Sequence, residues 1–146
     1  MADLNEIYST RLLELAGEIP ATDALENADA SASAHSKLCG SRVAVEISVE
    51  DNRIVNFSQT VKACLLGQAS AAIVGQNIIG TSFDEFRDIS RQMRNMLKRD
   101  GAPPGGRWAD LALLEPVRPY KVRHASTLLI FDAVERALDN LQVNVK

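Results

Sequence analysis

Val43, Val45, Ile47 and Val49 alternate strictly with Ala44, Glu46 and Ser48. No other stretch restricts the fold as much. A period of two puts four branched aliphatic residues on one face of a strand and leaves the other face wet. Asp51-Asn52 comes next. Both residue types tolerate positive φ, so a two-residue turn is expected there. Ile54 to Val61 then returns as a second strand, with Val55, Phe57 and Val61 expected on a common face. The pattern predicts an antiparallel hairpin. Cys39 and Cys64 flank it just outside its two ends, and residues in those places come back close together.

The segment after the hairpin, Val61 to Val74, runs through Ala63-Cys64 into small residues such as Gly67, Ala69, Ser70, Ala71 and Ala72. It predicts a tightly packed helix, ending near Ile79 at Gly80, with Cys64 at or near its N-terminus. Unsatisfied N–H groups and the positive end of the macrodipole stabilise a thiolate at such a place. Buried, inert cysteine is nevertheless the commoner state of a lone Cys in an apolar segment. Upstream, Leu4, Ile7, Tyr8, Leu12 and Leu15 share one helical face, with Asp3 as a cap and Gly17 and Pro20 as the stop. Ala28 to His35 alternates small and polar residues and fits an edge strand or a loop.

Downstream, Thr81-Ser82 with Glu85 predicts an N-cap and capping box for a helix carrying Phe83, Phe86, Ile89, Met93, Met96 and Leu97 inward. Gly101 to Gly106 is a loop, and Trp108 to Leu114 one or two helical turns. Pro116 and Pro119 are expected to keep the following segment extended. Ser126 is expected to cap a last helix burying Ile130, Val134, Leu138 and Leu141. The order is a helix, a small antiparallel sheet and a set of helices over one sheet face, which is α+β. At 146 residues, the expectation is one domain over 1–146.

Bulk properties exclude several classes. A net charge of −3 leaves no basic footprint for nucleic acid. No apolar run reaches the length of a membrane span. Two cysteines are too few for a disulfide scaffold and fit a reducing cytoplasm. The residues able to bind or attack are Cys39, Cys64, His35, His124 and the hydroxyls of Ser41 and Ser126. No P-loop, Gly-x-Ser-x-Gly elbow or His-Glu-x-x-His is present. Cys64 with His124 is one candidate nucleophile–base pair.

The combination is more specific than its parts: Cys39-Gly40 before the hairpin, Asn52-Arg53-Ile54-Val55 at the second strand's entry, and Ala63-Cys64 followed by Gln68-Ala69-Ser70-Ala71. Together they resemble the IscU/SufU-type iron–sulfur cluster assembly scaffolds, also called NifU N-terminal domains, over roughly Leu4 to Leu138. The segment Arg91 to Pro119 looks like the SufU subgroup, while Val117-Arg118-Pro119-Tyr120-Lys121 is only distantly like the chaperone-recognition motif of the IscU subgroup. The resemblance implies a three-stranded antiparallel sheet packed against helices, and a carrier that is not itself an enzyme. It implies iron, a [2Fe–2S] cluster or zinc held by three cysteines and an aspartate. Cys39 and Cys64 match two of those ligands. Ser41 stands where the aspartate usually follows Cys-Gly, and Ser126, or with a one-residue shift Ala125 after His124, stands where the third cysteine opens the last helix. Arg123 then matches the basic residue that stabilises anionic sulfur, and His35 or His124 are alternative ligands. The implied partners are a cysteine desulfurase as sulfur source, Fe–S recipient or carrier proteins, and optionally further copies of the chain. The alternative is a degenerate member that binds a partner without assembling a cluster.

Overall fold

The computed structural model describes residues 10–37 and 40–144. Helix α1 (Thr10–Gly17) precedes a sheet of β1 (Ala30–His35), β2 (Arg42–Glu50) and β3 (Arg53–Lys62). Helix α2 (Leu65–Asn77) and helix α3 (Phe83–Lys98) follow. Two 3₁₀ segments, Gly106–Val117 and Lys121–Arg123, lead into helix α4 (His124–Asn144). The sheet is antiparallel in the order β1-β2-β3, the expected α+β arrangement. Leu12 and Leu15 are buried on α1 as expected; Asp3, Leu4, Ile7 and Tyr8 lie outside the described residues.

The hairpin forms as its pattern dictates, and Asp51 and Asn52 both take positive φ, 51° and 61°. Val43, Val45 and Ile47 are buried. Val55 departs from expectation and is exposed. Ser48 pairs with Asn56 while Val49 pairs with Ile54, so Val55 is the extra residue of a β-bulge. The bulge reverses the alternation, and Ile54 enters the core in its place. The segment Ala30–His35 is a strand, with Ala30, Ala32 and Ala34 opposite Ile47, Val45 and Val43. Its free edge is covered: Arg136 and Asn140 of α4 donate to the Ser33 and Ser31 carbonyls at 3.0 and 2.8 Å. At the other edge, Gln59 N donates to the Ala21 carbonyl at 2.7 Å. Pairing of this kind blunts edges that would otherwise recruit other strands.

Helix α4 lies across the inner sheet face and α2. It buries more than the expected stripe, with Leu128, Leu129, Phe131, Ala133 and Ala137 added to Ile130, Val134, Leu138 and Leu141. Phe86 joins two layers, stacking on Phe131 at 5.8 Å and meeting Trp108 edge-on at 6.1 Å between ring centroids. Ser82 caps α3 as expected, accepting from Glu85 N at 3.1 Å. The stretch around Pro116 is not extended: Pro116 sits inside a 3₁₀ helix, whose φ lies within the range that its ring fixes.

Candidate functional site

Cys64 occupies the N-cap position of α2, with extended backbone (φ −65°, ψ 170°) and a half-buried side chain. Its own N–H donates to Ser41 Oγ at 3.2 Å. Its thiol lies 3.2 Å from Ser126 Oγ, a residue 62 positions away in the chain. Ser41 and Ser126 are both buried. The structure therefore brings together Ser41, Cys64 and Ser126, one from the entry to β2 and the others from the first turns of α2 and α4. Cys39 lies outside the described residues.

Local chemistry puts each residue there. Gly40 takes φ +70°, and Gly40 N and Ser36 N close the β1–β2 connection onto Ser36 O and Ser41 O at 2.9 and 2.8 Å. That tight return holds Ser41 beside the end of β3. Ser126 does not cap α4, because the helix begins at His124. Inside the first turn its hydroxyl donates instead to the Arg123 carbonyl at 3.3 Å, an acceptor it shares with Thr127 Oγ1 at 2.8 Å. The Ser126 hydroxyl so engaged keeps lone pairs directed at the thiol.

Two residues outside the candidate ligands, Gly67 and Ser70, set this geometry. Gly67, one turn into α2, is so close to α4 that a Cβ would sit 3.1 Å from Ser126 O and 2.8 Å from Ala63 Cβ. Ser70 Oγ donates to the Thr127 carbonyl at 2.7 Å, locking the two helices in register. The run of small residues after Cys64 was the available signal, since such runs let another backbone approach.

Arg123 is half-buried at the end of the second 3₁₀ segment, with its carbonyl facing Ser126 and Thr127. His124 is placed elsewhere. Two residues before Ser126, it is about 200° away around the helix. Its Nε2 lies 2.9 Å from the Arg118 carbonyl. There it lines a cavity of about 410 Å³ with Leu97, Lys98, Lys121 and Ala125, not the surroundings of Cys64. His35 is exposed at the end of β1. Among the described residues, no group of three or more His, Cys, Asp or Glu is disposed to hold a metal ion.

No protein-family model matches the chain. An iron–sulfur cluster assembly scaffold protein IscU of Thermotoga maritima is 21% identical over 135 residues, 92% of this chain and 94% of that protein. The crystal structure of a putative SUF-system scaffold from Fervidobacterium islandicum AW-1 superposes with a TM-score of 0.84 at 21% identity, covering 93% of this chain and 99% of the other. At that identity the likeness is one of fold. The crystal structure of a nitrogen-fixing NifU-like protein (N-terminal) from Brucella abortus is 45% identical, with a TM-score of 0.95, over 97% of this chain and 99% of that one. With this identity carried end to end on the same architecture, the chain belongs to the NifU-like, IscU/SufU-type family of iron–sulfur cluster assembly scaffolds.

Proposed function

We propose that the chain, as one scaffold domain over residues 1–146, holds iron, a [2Fe–2S] cluster or zinc as cargo through Cys39 and Cys64 in the cytoplasm. The observation that carries this reading is the meeting of Ser41, Cys64 and Ser126, three positions that match family ligand positions and are distant in sequence. A thiolate is the form of cysteine that binds metal and attacks sulfur. Two thiolates assisted by hydroxyls make a weaker set than the closed four-ligand sites of structural zinc or cluster iron. Cargo held this way is easily released, which suits a carrier. The Thermotoga and Fervidobacterium relatives are named as scaffolds, and this chain acts as one and not as an enzyme.

Sulfur would arrive from a cysteine desulfurase. The Cys39 thiolate attacks the terminal sulfur of the enzyme's persulfide, forming a persulfide on Cys39 and releasing the enzyme's thiolate. Cys39 is the first acceptor because its loop is flanked by glycine, while Cys64 is fixed at a helix start. Arg123 would stabilise the anionic sulfur, and Fe–S recipient or carrier proteins take the product.

Protein purified anaerobically without chelators is expected to contain iron with sulfide, or zinc, and to lose it in Cys39→Ser and Cys64→Ser. Mass spectrometry after incubation with a cysteine desulfurase and cysteine is expected to find one added sulfur, first on Cys39. Absence of metal, of a reconstituted cluster and of added sulfur would instead support a partner-binding module without assembly. That second reading is favoured by the lack of a third strong ligand among the described residues.

A further inference from the structure

Strand register aligns His35 with Arg42 and Arg42 with Lys62, so one basic row crosses all three strands. The adjacent inner row is Ala34, Val43 and Val61, which places the basic row on the outer face, and all three of its residues are exposed. Like charges directly opposite on neighbouring strands repel. No carboxylate of the described residues pairs with Arg42 or Lys62, whereas Arg11, Arg87, Arg91, Arg94, Arg107 and Arg118 each have one. In a chain of net charge −3, this is an uncompensated concentration of positive charge.

The row closes one end of a groove. A cavity of about 280 Å³ between Arg42, Ala44, Thr60 and Lys62 continues, through Ala44 and Thr60, into one of about 350 Å³ lined by the hydroxyls of Ser31, Ser33 and Ser58. Residues 22–28 cross the outer face as a strap at the groove's other end. They are held there by Leu25 N on Glu46 Oε1 at 3.1 Å and Ser48 Oγ on the Asn27 carbonyl at 3.1 Å. The open end is the site end: Arg42 follows Ser41, and Lys62 is two residues before Cys64.

We propose that this groove docks an acidic segment of a partner protein beside Cys64. The row spans two interstrand gaps, about 10 Å, which is wider than one oxyanion can bridge. Its cations are exposed, and among the described residues no buried charged side chain lines the groove, so several carboxylates on an extended segment match it better than a single phosphate. Two cations and an imidazole are too few to hold a nucleic acid backbone. Glu46 at the strap end sets the polarity, with the carboxylates of the segment toward Arg42 and Lys62. That the docked protein supplies sulfur to Cys64 or takes cargo from it rests on the function proposed above; the docking itself does not.

The test is an NMR titration of the full chain with a ten-residue peptide of alternating Glu and Ser, its Gln-Ser counterpart, and inorganic phosphate. The Glu peptide is expected to shift the amide signals of His35, Arg42, Thr60 and Lys62, and to bind about tenfold more weakly at high than at low salt. R42E/K62E, at exposed positions, is expected to fold with an unchanged melting midpoint and to lose binding by tenfold or more. The proposal is overturned by absent shifts, by shifts centred on Lys98 and Lys121, or by phosphate reproducing the shifts and displacing the peptide. It is equally overturned if R42E/K62E turns an oligomer into a monomer in sedimentation, which would assign the face to a second copy. Peptide binding needs no cargo on Cys64, so it can fail while metal and sulfur binding persist, and the reverse.

Discussion

Serine 126 shows how much one atom decides. Its hydroxyl hydrogen-bonds the Cys64 thiol and the Arg123 carbonyl, so a sulfur at the same position would face Cys64. A structural four-ligand zinc site is worth about 10–16 kcal/mol in apparent binding, so an evenly shared ligand carries several. Each 1.4 kcal/mol or so is a factor of ten. Ser41→Asp with Ser126→Cys is therefore expected to tighten zinc by orders of magnitude in competition with a chelator. Equal, negligible affinity in wild type and variant would mean that the pocket is not preserved. Glu85 gives a residue-scale prediction about stability. Its carboxyl lies below the ordinary value of 4.5, first because Trp108 Nε1 donates to it at 3.0 Å, with burial opposing and the Arg107 hydrogen bond and charge and the Arg53 charge assisting. A depressed folded-state value means stability present above the unfolded-state value and lost as pH falls through the folded one. Glu85→Gln should cost stability near neutral pH in urea unfolding, and the gap to wild type should close as pH falls below the ordinary glutamate value and through the lower folded-state one. The side chain is 39% exposed, so the neutral-pH loss should stay within about 1 kcal/mol.

Among the elements, α2 connects packing to chemistry. Gly to Ala inside a helix ordinarily gains roughly 0.5–1 kcal/mol. At Gly67 the added methyl meets the Ser126 carbonyl carried by another helix, and helix backbones cannot shift cheaply. Gly67→Ala is therefore expected to destabilise the fold and to move Ser126 off Cys64. The check is a lowered melting midpoint together with faster Cys64 modification by a thiol reagent. The β-bulge is the other element-scale device. It changes which face of β3 is buried between Ile54 and Phe57 without lengthening the hairpin turn.

At the scale of the molecule, α4 is the keystone of the core, touching β1, β2, α2 and α3 while its first turn supplies Ser126. Phe131 is fully buried at the middle of that packing and stacked on Phe86. Phe131→Ala is expected to cost about 3–5 kcal/mol in urea unfolding. That is a large share of the roughly 5–15 kcal/mol available to a domain. The ion network of Arg94 with Asp132 at 2.6 Å and Glu135 at 2.7 Å fastens α3 to α4, with Ser90 also bonded to Glu135. Because the site draws on three separate chain regions, loosening this core should loosen the site even where no site residue is touched.

Period, turn chemistry and capping were enough to determine the hairpin, its Asp51-Asn52 turn, the start of α2 at Cys64 and the Ser82 cap, because each depends on residues within a few positions of one another. The resemblance carried by Cys39-Gly40 and Ala63-Cys64 pointed to the family in the same local way. Tertiary structure alone decided the rest. Val55 is turned outward by a register shift against β2, which no pattern within β3 reveals. Ala30–His35, too weak in pattern to name, becomes a strand because β2 pairs with it and α4 closes its edge. Ser126 reaches Cys64, and His124 does not, because helix α4 starts two residues before Ser126 and turns the two side chains to different faces. Contacts across 62 residues depend on how helices pack, and packing is a property of all the surfaces together, not of any one stretch.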